Sequence, residues 1–548
     1  MAARVDTVFE NATFHTMRRQ GETVEALAVA GGVIVAAGPR ADVRELAGPG
    51  TETVDLGGAH VFPGFADSHV HLLKAALAAT YEIDLDGSGC RSVADVQDAV
   101  RSRAATLPSG TWIVGHQLRD EKLAEHRYPT RHDLDAATID HPVLLKATGS
   151  HICVANSLAL RLGGITAEVP DPPGGQIDRD QDGEPNGILR ERGKLRLNPG
   201  ASDSVIPDYT EAQGVDALEQ ISRRLVQAGV TCVGTMIVNG SEVRVHQRAA
   251  RERRFAPRTR LMYRVIESEI DLDDLDHAGI VTGFGDDMLR VTGVKMSIDG
   301  GSLQKNAAMY EPYPGEPGNR GIVRIDQEEL DATVARAHAL GLRNVIHAIG
   351  DRAYDMALTA IEKGVVAKGA TDHRTRIEHL GNISVSTDQL ARALQLRVVA
   401  SPQPGFIHVY GDKWIDIFGE EEVQRGFFPF RRMLDAGIEM IGSSDYGMTP
   451  VDCRVGIHAA VTRRTAEGTS IGPGQAITPY EAISLYTSRA AWCDFEEATR
   501  GTLEPGRLAD LTALAANPLR VPADELLELP VTATVIGGES KYRNEDGA

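Results

Sequence analysis

A chain of 548 residues is longer than one ordinary hydrophobic core can serve, so more than one domain is expected. Hydrophobic residues make up 42% and charged residues 24%, which excludes a disordered chain. The formal net charge of −20 is scattered along the sequence and argues against nucleic acid or an anionic membrane as partner; it fits a solvated acidic surface.

Residues 4 to 58 read as short strands: Thr7-Val8-Phe9, Ala26 to Val29, and Val33 to Ala36 are apolar runs, with Gly31-Gly32 as a hairpin signal between the last two. This unit is too small to bury its own face. Residues 60 to 73 follow, His-Val-Phe-Pro-Gly-Phe-Ala-Asp-Ser-His-Val-His-Leu-Leu. In an extended strand, residues i and i+2 share a side, so His69 and His71 can grip one cation. A divalent metal wants three or four ligands, so this pair requires more from later strands.

Residues 80 to 210 fit no repeat and read as an insertion, with a hairpin expected over 176–189 around Asp182-Gly183. From about 211 the period changes. A helix is expected over 211–228, with Val215, Leu218, Ile221, Leu225 and Val226 at helical spacing. Strands are expected near 230–233, 260–266, 290–298, 343–347, 374–379, 396–401 and 438–445. With 61–69 these make eight βα units, the signature of a closed (β/α)8 TIM barrel whose chemistry lies at the strand C-termini. From 501 the chain returns to β character, with Leu511 to Leu514, Val531 to Ile536 and Gly537-Gly538. The expected division is 1–60 and 496–548 as two parts of one small β-sandwich domain, and 61–495 as an α/β barrel carrying the insertion.

Five cysteines, none in a C-x-x-C pair, give neither a disulfide framework nor a zinc knuckle. No signal peptide is legible at Met-Ala-Ala-Arg-Val-Asp-Thr-Val, and no apolar run approaches the roughly 20 residues of a membrane span, so a cytoplasmic protein is expected.

Strand one delivers His69 and His71, strand four Lys295, strand five His347, strand six His379 and strand eight Asp445. A lone histidine is commonly a core or surface residue, and His15, His126, His277 and His338 have no such context. Candidate ligands at successive strand ends are a different matter and point to a metal centre.

The chain resembles the amidohydrolase superfamily, and within it amidohydrolase family 3. The marks are Pro-Gly-Phe-Ala-Asp-Ser-His-Val-His at 63–71, Val-Lys-Met-Ser-Ile-Asp-Gly-Gly-Ser at 294–302 and His-Ala-Ile-Gly-Asp-Arg-Ala at 347–353. Arg-Ile-Glu-His at 376–379, Gly-Ser-Ser-Asp at 442–445 and Leu-Glu-Pro-Gly-Arg-Leu-Ala-Asp-Leu at 503–511 complete them. The resemblance spans nearly the whole chain. It implies a distorted barrel of the metal-dependent hydrolase type, a composite β domain from both termini, and one or two divalent ions, most often zinc. His69, His71 and Asp445 would hold the first ion and His347 and His379 the second. Lys295 stands where the superfamily often carries an N6-carboxylysine bridge; unmodified, its ammonium has no lone pair, and it would cap the strand or pair with Asp299.

Such a centre fits hydrolysis, because a bound metal lowers the pKa of water to about 7. Asp445 is the expected general base and then proton donor to a leaving amine. The expected reaction is cleavage of a C–N bond, in an amide or an N-substituted formamide as in the family's formamide deformylases. A decarboxylase, deaminase or lactonase at the same site is the alternative, and a non-catalytic scaffold is a third reading. His151 and Asn156 match a His-x4-Asn pattern of the family and are expected at the substrate, His151 with a catalytic part in polarising the carbonyl; the bland reading is a structural histidine. Asp299 and the loop after it, which carries one more glycine than the family's usual Asp-Gly-Ser-Leu-Gly-Ser, would shape the pocket mouth. Aromatics concentrate after strand seven, with Phe406, Tyr410, Trp414 and Phe418 followed by Phe427, Phe428 and Phe430. They would form a lid over an apolar or aromatic small-molecule substrate, or simply pack the excursion against the barrel. A homodimer is expected.

Overall fold

The computed structural model describes residues 4–148, 152–172, 175–197, 203–266 and 268–544. The chain divides into two compact units, one of residues 1–72 with 221–548 and one of residues 73–220.

The first unit is built on an eight-stranded sheet: β1 (Phe65–Val70), β2 (Val230–Ile237), β3 (Arg258–Arg264), β4 (Leu289–Ser297), β5 (Asn344–His347), β6 (Arg376–Glu378), β7 (Val399–Ser401) and β8 (Glu439–Met440). Every neighbouring pair is parallel and in sequence order. Such strands are buried on both faces, and β1 and β2 are buried at every position, the polar Asp67, Ser68 and His69 of β1 included. Closure comes from backbone bonds between β1 and the segment after β8: Asp445 N–H donates to His69 O at 2.8 Å, and His71 N–H to Tyr446 O at 3.2 Å. The fold is a distorted TIM barrel with an additional sheet domain.

The expected opening strand over 61–69 is two strands. His60–Pro63 pairs with Leu511–Leu514 and Thr13–His15, whereas β1 begins at Phe65. Gly64 is the joint, and a Cβ there would meet Thr231 Oγ1 at 2.1 Å, so no larger residue fits the handover. Two further sheets flank the barrel: a four-stranded one from N-terminal residues alone, and a six-stranded one to which both chain ends contribute. Phe9, Phe14, Leu27, Ile34, Val61, Leu511 and Val535 share one core between them. Gly31-Gly32 (φ 57° and 80°) and Gly537-Gly538 (φ 59° and 78°) close two-residue hairpins in which both central residues need positive φ.

The second unit has its own six-stranded sheet. Ile83–Asp84, Ile113–Leu118 and Val143–Ala147 run parallel, and Ile152–Ala155, Pro185–Glu191 and Gly175–Arg179 continue it antiparallel. The last two are the hairpin expected around Asp182-Gly183, where Gly183 has φ 88°. The helix expected over 211–228 runs Glu211–Gln227 and opens with a reciprocal cap, Gln213 N–H on Thr210 Oγ1 and Thr210 N–H on Gln213 Oε1.

Candidate metal centre

The strand C-termini of the barrel gather His69, His71, Lys295, His347, His379 and Asp445. His69 is the last inward residue of β1 and is buried; His71 lies just past the strand and is half exposed. His69 Nε2 and His71 Nε2 both face Asp445 Oδ1, at 3.5 and 3.3 Å. These separations are too long for good hydrogen bonds. They match the edge of a tetrahedron whose metal–nitrogen bonds are 2.0–2.1 Å long, about 3.3 Å. His69, His379 and Asp445 each offer one ligand atom within 4.8 Å of the others. The His347 and His379 rings stand 4.5 Å apart, edge to face.

Two of these residues have backbones that L-amino acids seldom adopt: His379 has φ 73° and Asp445 φ 53°. Left-handed backbone at a polar, buried position is the kind of strain that functional sites carry. At Asp445 it follows from closure, since the same residue's N–H bonds to β1.

Electrostatics point the same way. Burial pushes the Asp445 carboxyl up to about 7, partly offset by Lys295. Burial brings Lys295 down to about 8, against the pull of Glu378. Burial also holds His379 near 4, with Lys295 adding to it, and keeps His69 and His347 well below the usual imidazole range. Neutral imidazoles are the form that ligates a metal. Lys295 Nζ, His347 Nε2 and Asp445 Oδ1 are buried and without a hydrogen-bond partner among the described residues. Buried polar atoms are normally satisfied, so three orphans converging at one strand edge call for a cation or a bridging group. The donor set of neutral imidazoles and a carboxylate fits a divalent metal.

A carboxylate behind the first histidine is the feature that sequence reasoning missed. Glu378 Oε2 receives His69 Nδ1 at 2.6 Å and the Ser401 hydroxyl at 2.7 Å, while Glu378 Oε1 pairs with Arg376 Nε at 2.6 Å. Burial alone would raise its pKa, but Arg376 and His69 hold it well below the carboxylate range. The proton is thereby fixed on His69 Nδ1, leaving Nε2 for a ligand. The residue stands in Arg-Ile-Glu-His beside His379, yet strand alternation places neighbours on opposite faces. The left-handed turn at His379 breaks that alternation, so both side chains reach the centre. Three more supports escaped notice. Gln403 Oε1 takes His379 Nδ1 at 2.6 Å; Asn382 Nδ2 donates to the same oxygen at 2.7 Å; and Asp67 accepts the Ser444 N–H at 2.9 Å beside Asp445.

Other expected site residues are placed elsewhere. Asp299 is buried and accepts three backbone N–H groups, from Gly350 at 2.8 Å, Ala308 at 2.9 Å and Ile349 at 3.1 Å. It therefore anchors the turn that follows β5, with His347 Nε2 3.5 Å away, and does not shape a pocket mouth; Lys295 Nζ has no hydrogen bond to it. The Asn156 amide is fully committed: it accepts from Val143 N–H and Ala159 N–H and donates to Thr138 O and His141 O, capping the helix Ser157–Gly163. No group remains for a substrate. His151 lies outside the described residues. Of the two readings of the aromatic cluster, the structure has the packed one: Phe406, Trp414, Phe427, Phe428 and Phe430 are buried, and Trp414 stacks edgewise on Phe427 and Phe428 while donating to Ser302 Oγ at 3.0 Å. The excursion after β7 folds as helices, Gly405–Phe418, Glu420–Gly426 and Phe430–Asp435, whose rings face each other.

Comparison with known proteins finds likenesses along nearly the whole chain. The Amidohydrolase family model matches residues 52–542. YtcJ of Bacillus subtilis (strain 168) is 30% identical over 98% of this chain and 99% of its own length. The N-substituted formamide deformylase of Arthrobacter pascens is 28% identical over 98% of both chains. The crystal structure of a metal-dependent hydrolase from Pyrococcus horikoshii OT3 superposes with a TM-score of 0.78 at 28% identity, covering 94% of this chain and 99% of that one.

Proposed function

This chain belongs to the amidohydrolase family, and from that premise we propose that it hydrolyses a C–N bond, in an amide or an N-substituted formamide, at the barrel's strand C-termini. The observation that carries the reading is the convergence of His69, His379 and Asp445 within 4.8 Å, with orphaned Lys295 Nζ and Asp445 Oδ1 beside them. Likeness to the A. pascens deformylase supports the choice of bond.

His69, His71 and Asp445 would hold one divalent ion, most simply zinc, and His347 with His379 a second. Lys295 as an N6-carboxylysine would replace a repelling ammonium with a bridging anion; its lowered pKa keeps part of the amine neutral, the form that carboxylation needs. When bound, the metal supplies Lewis acidity, acidifying water and polarising the substrate carbonyl. The protein's own work is proton handling and positioning. The Asp445 carboxylate would take the proton of the attacking water on the oxygen not turned to the metal and return it to the leaving nitrogen. Glu378 keeps His69 in one tautomer and one orientation, and Gln403 does so for His379.

The test is a panel of N-alkyl and N-aryl formamides and acetamides, beside lactones and carboxylates, assayed for amine release with the zinc-loaded protein. Amine release that disappears in Asp445→Asn supports the proposal. Turnover of lactones alone, or decarboxylation alone, overturns it.

A further inference from the structure

The opposite end of the barrel contains a cavity of about 380 Å³, set where β6, β7 and β8 begin. That volume falls within the range of small-molecule sites. Leu394, Val398, Ile438 and Trp492 supply its apolar wall, and half of the lining residues are polar or charged.

The charges around it are unevenly matched. Asp372 is bound to Arg374 at 2.9 Å, and Glu439 to Arg489 at 3.0 Å, so the acidic groups of the rim are neutralised. Arg374 lies 4.5 Å from the centre of the Trp492 ring, which fixes the indole against the cavity. Arg397 differs: its guanidinium donates to Thr371 O at 3.0 Å and forms no ion pair among the described residues. It also sits at φ 53°, a conformation that asparagine or glycine adopts at lower cost. Turn geometry alone gives no reason for an arginine there.

We propose that this cavity is a binding site for a small carboxylate with an aliphatic or aryl body, the carboxylate held by Arg397 and the body by Leu394, Val398, Ile438 and Trp492. A guanidinium pairs with a carboxylate through two parallel charge-assisted bonds, which an amide or alcohol cannot reproduce. The site is separate from the metal centre: Arg374, Val398 and Ile438 precede β6, β7 and β8, whose opposite ends face that centre. Occupancy therefore requires neither the metal nor Asp445, and the inference stands apart from the proposed reaction.

Isothermal titration of the full chain with sodium hexanoate tests it, with 1-hexanol as the neutral probe. One saturable site for hexanoate is expected, with hexanol at least tenfold weaker. Arg397→Asn keeps a residue that accepts the left-handed backbone and should weaken hexanoate about tenfold or more. Leu394→Trp fills the cavity from a partly exposed position and should remove binding, whereas Asp445→Asn should leave it unchanged. Absence of a saturable site, equal affinity in Arg397→Asn and the parent, or loss of binding in Asp445→Asn overturns the proposal. Circular dichroism of each variant checks folding, and Arg397→Asn, at an exposed position, decides should Leu394→Trp misfold.

Discussion

The two ends of the barrel are made from the same strands and the same kinds of charged residue, yet they are finished differently. At the N-terminal ends, buried arginines meet carboxylates from the segment that follows the barrel. Arg258 pairs with Asp510 at 2.7 Å, Arg260 and Arg290 with Glu496 at 2.9 and 3.1 Å, and Arg343 and Arg500 with Asp494 at 3.0 and 2.7 Å. Each of these carboxylates has its guanidinium. At the C-terminal ends, buried imidazoles, a lysine and an aspartate face one another with three polar atoms left open. At the first end these carboxylates are met from within the chain. The other is complete only with something from outside it, and this is the difference between a buried charge that stabilises and one that works.

The largest expected effect comes from the open end. Asp445→Asn should lower turnover of any true substrate by about 10³-fold or more while leaving the thermal melt near that of the parent, since on the proposed mechanism it removes a proton carrier and a ligand together. Steady-state kinetics beside calorimetry would show the split. At the closed end the order reverses. Glu496→Gln leaves three arginines facing a neutral group and should destabilise the first unit by about 3–5 kcal/mol in denaturant titration, with activity per folded molecule preserved.

The same carboxylate predicts acid behaviour. Burial works against the ionised form, but Arg500 and Arg260 hold Glu496 at about 2, below the ordinary 4.5. A carboxyl with a depressed folded pKa contributes stability above its unfolded value, and that stability drains away as pH falls from about 4.5 toward 2. Stability measured across that window should fall less steeply in Glu496→Gln. An equally steep fall in the variant would assign the acid transition to other groups.

Smaller effects sharpen the contrast. Glu378→Gln keeps shape but loses the charge behind His69, and metal affinity in chelator competition should fall about 10–100-fold, with a lesser change in folding. Smallest is Trp414→Phe, which removes one hydrogen bond to Ser302 from a packed cluster. A loss of about 1 kcal/mol with little change in substrate preference is expected from a core residue. A marked shift in preference among N-substituents would return the aromatics to the substrate.

Much of this was legible from residue order. The eight parallel strands, the composite terminal sheets and the residues His69, His71, Lys295, His347, His379 and Asp445 all follow from period and from strand-end placement, and the fold is as expected. What sequence could not give were contacts that depend on broken regularity. Glu378 joins the centre only because His379 is left-handed, and Asp299 turns inward to backbone N–H groups that no spacing reveals. The aromatic cluster left two readings open because composition reports concentration and not direction. Phe406 and Trp414 look alike in a list whether they face a substrate or each other.

One consequence of the Gly64 joint concerns synthesis. Phe65 N–H bonds to Thr512 Oγ1, and His60–Pro63 pairs with Leu511–Leu514, across 447 residues of chain. At about 5–20 residues per second, the ribosome needs roughly 20–90 s to deliver that partner. Throughout this interval one side of the strand that feeds β1 is a bare edge, able to pair with any other extended segment it meets. The strand leading to His69 and His71 thus emerges early and is completed late. Arrested nascent chains ending near residue 500 should be markedly more prone to aggregate than chains released at full length.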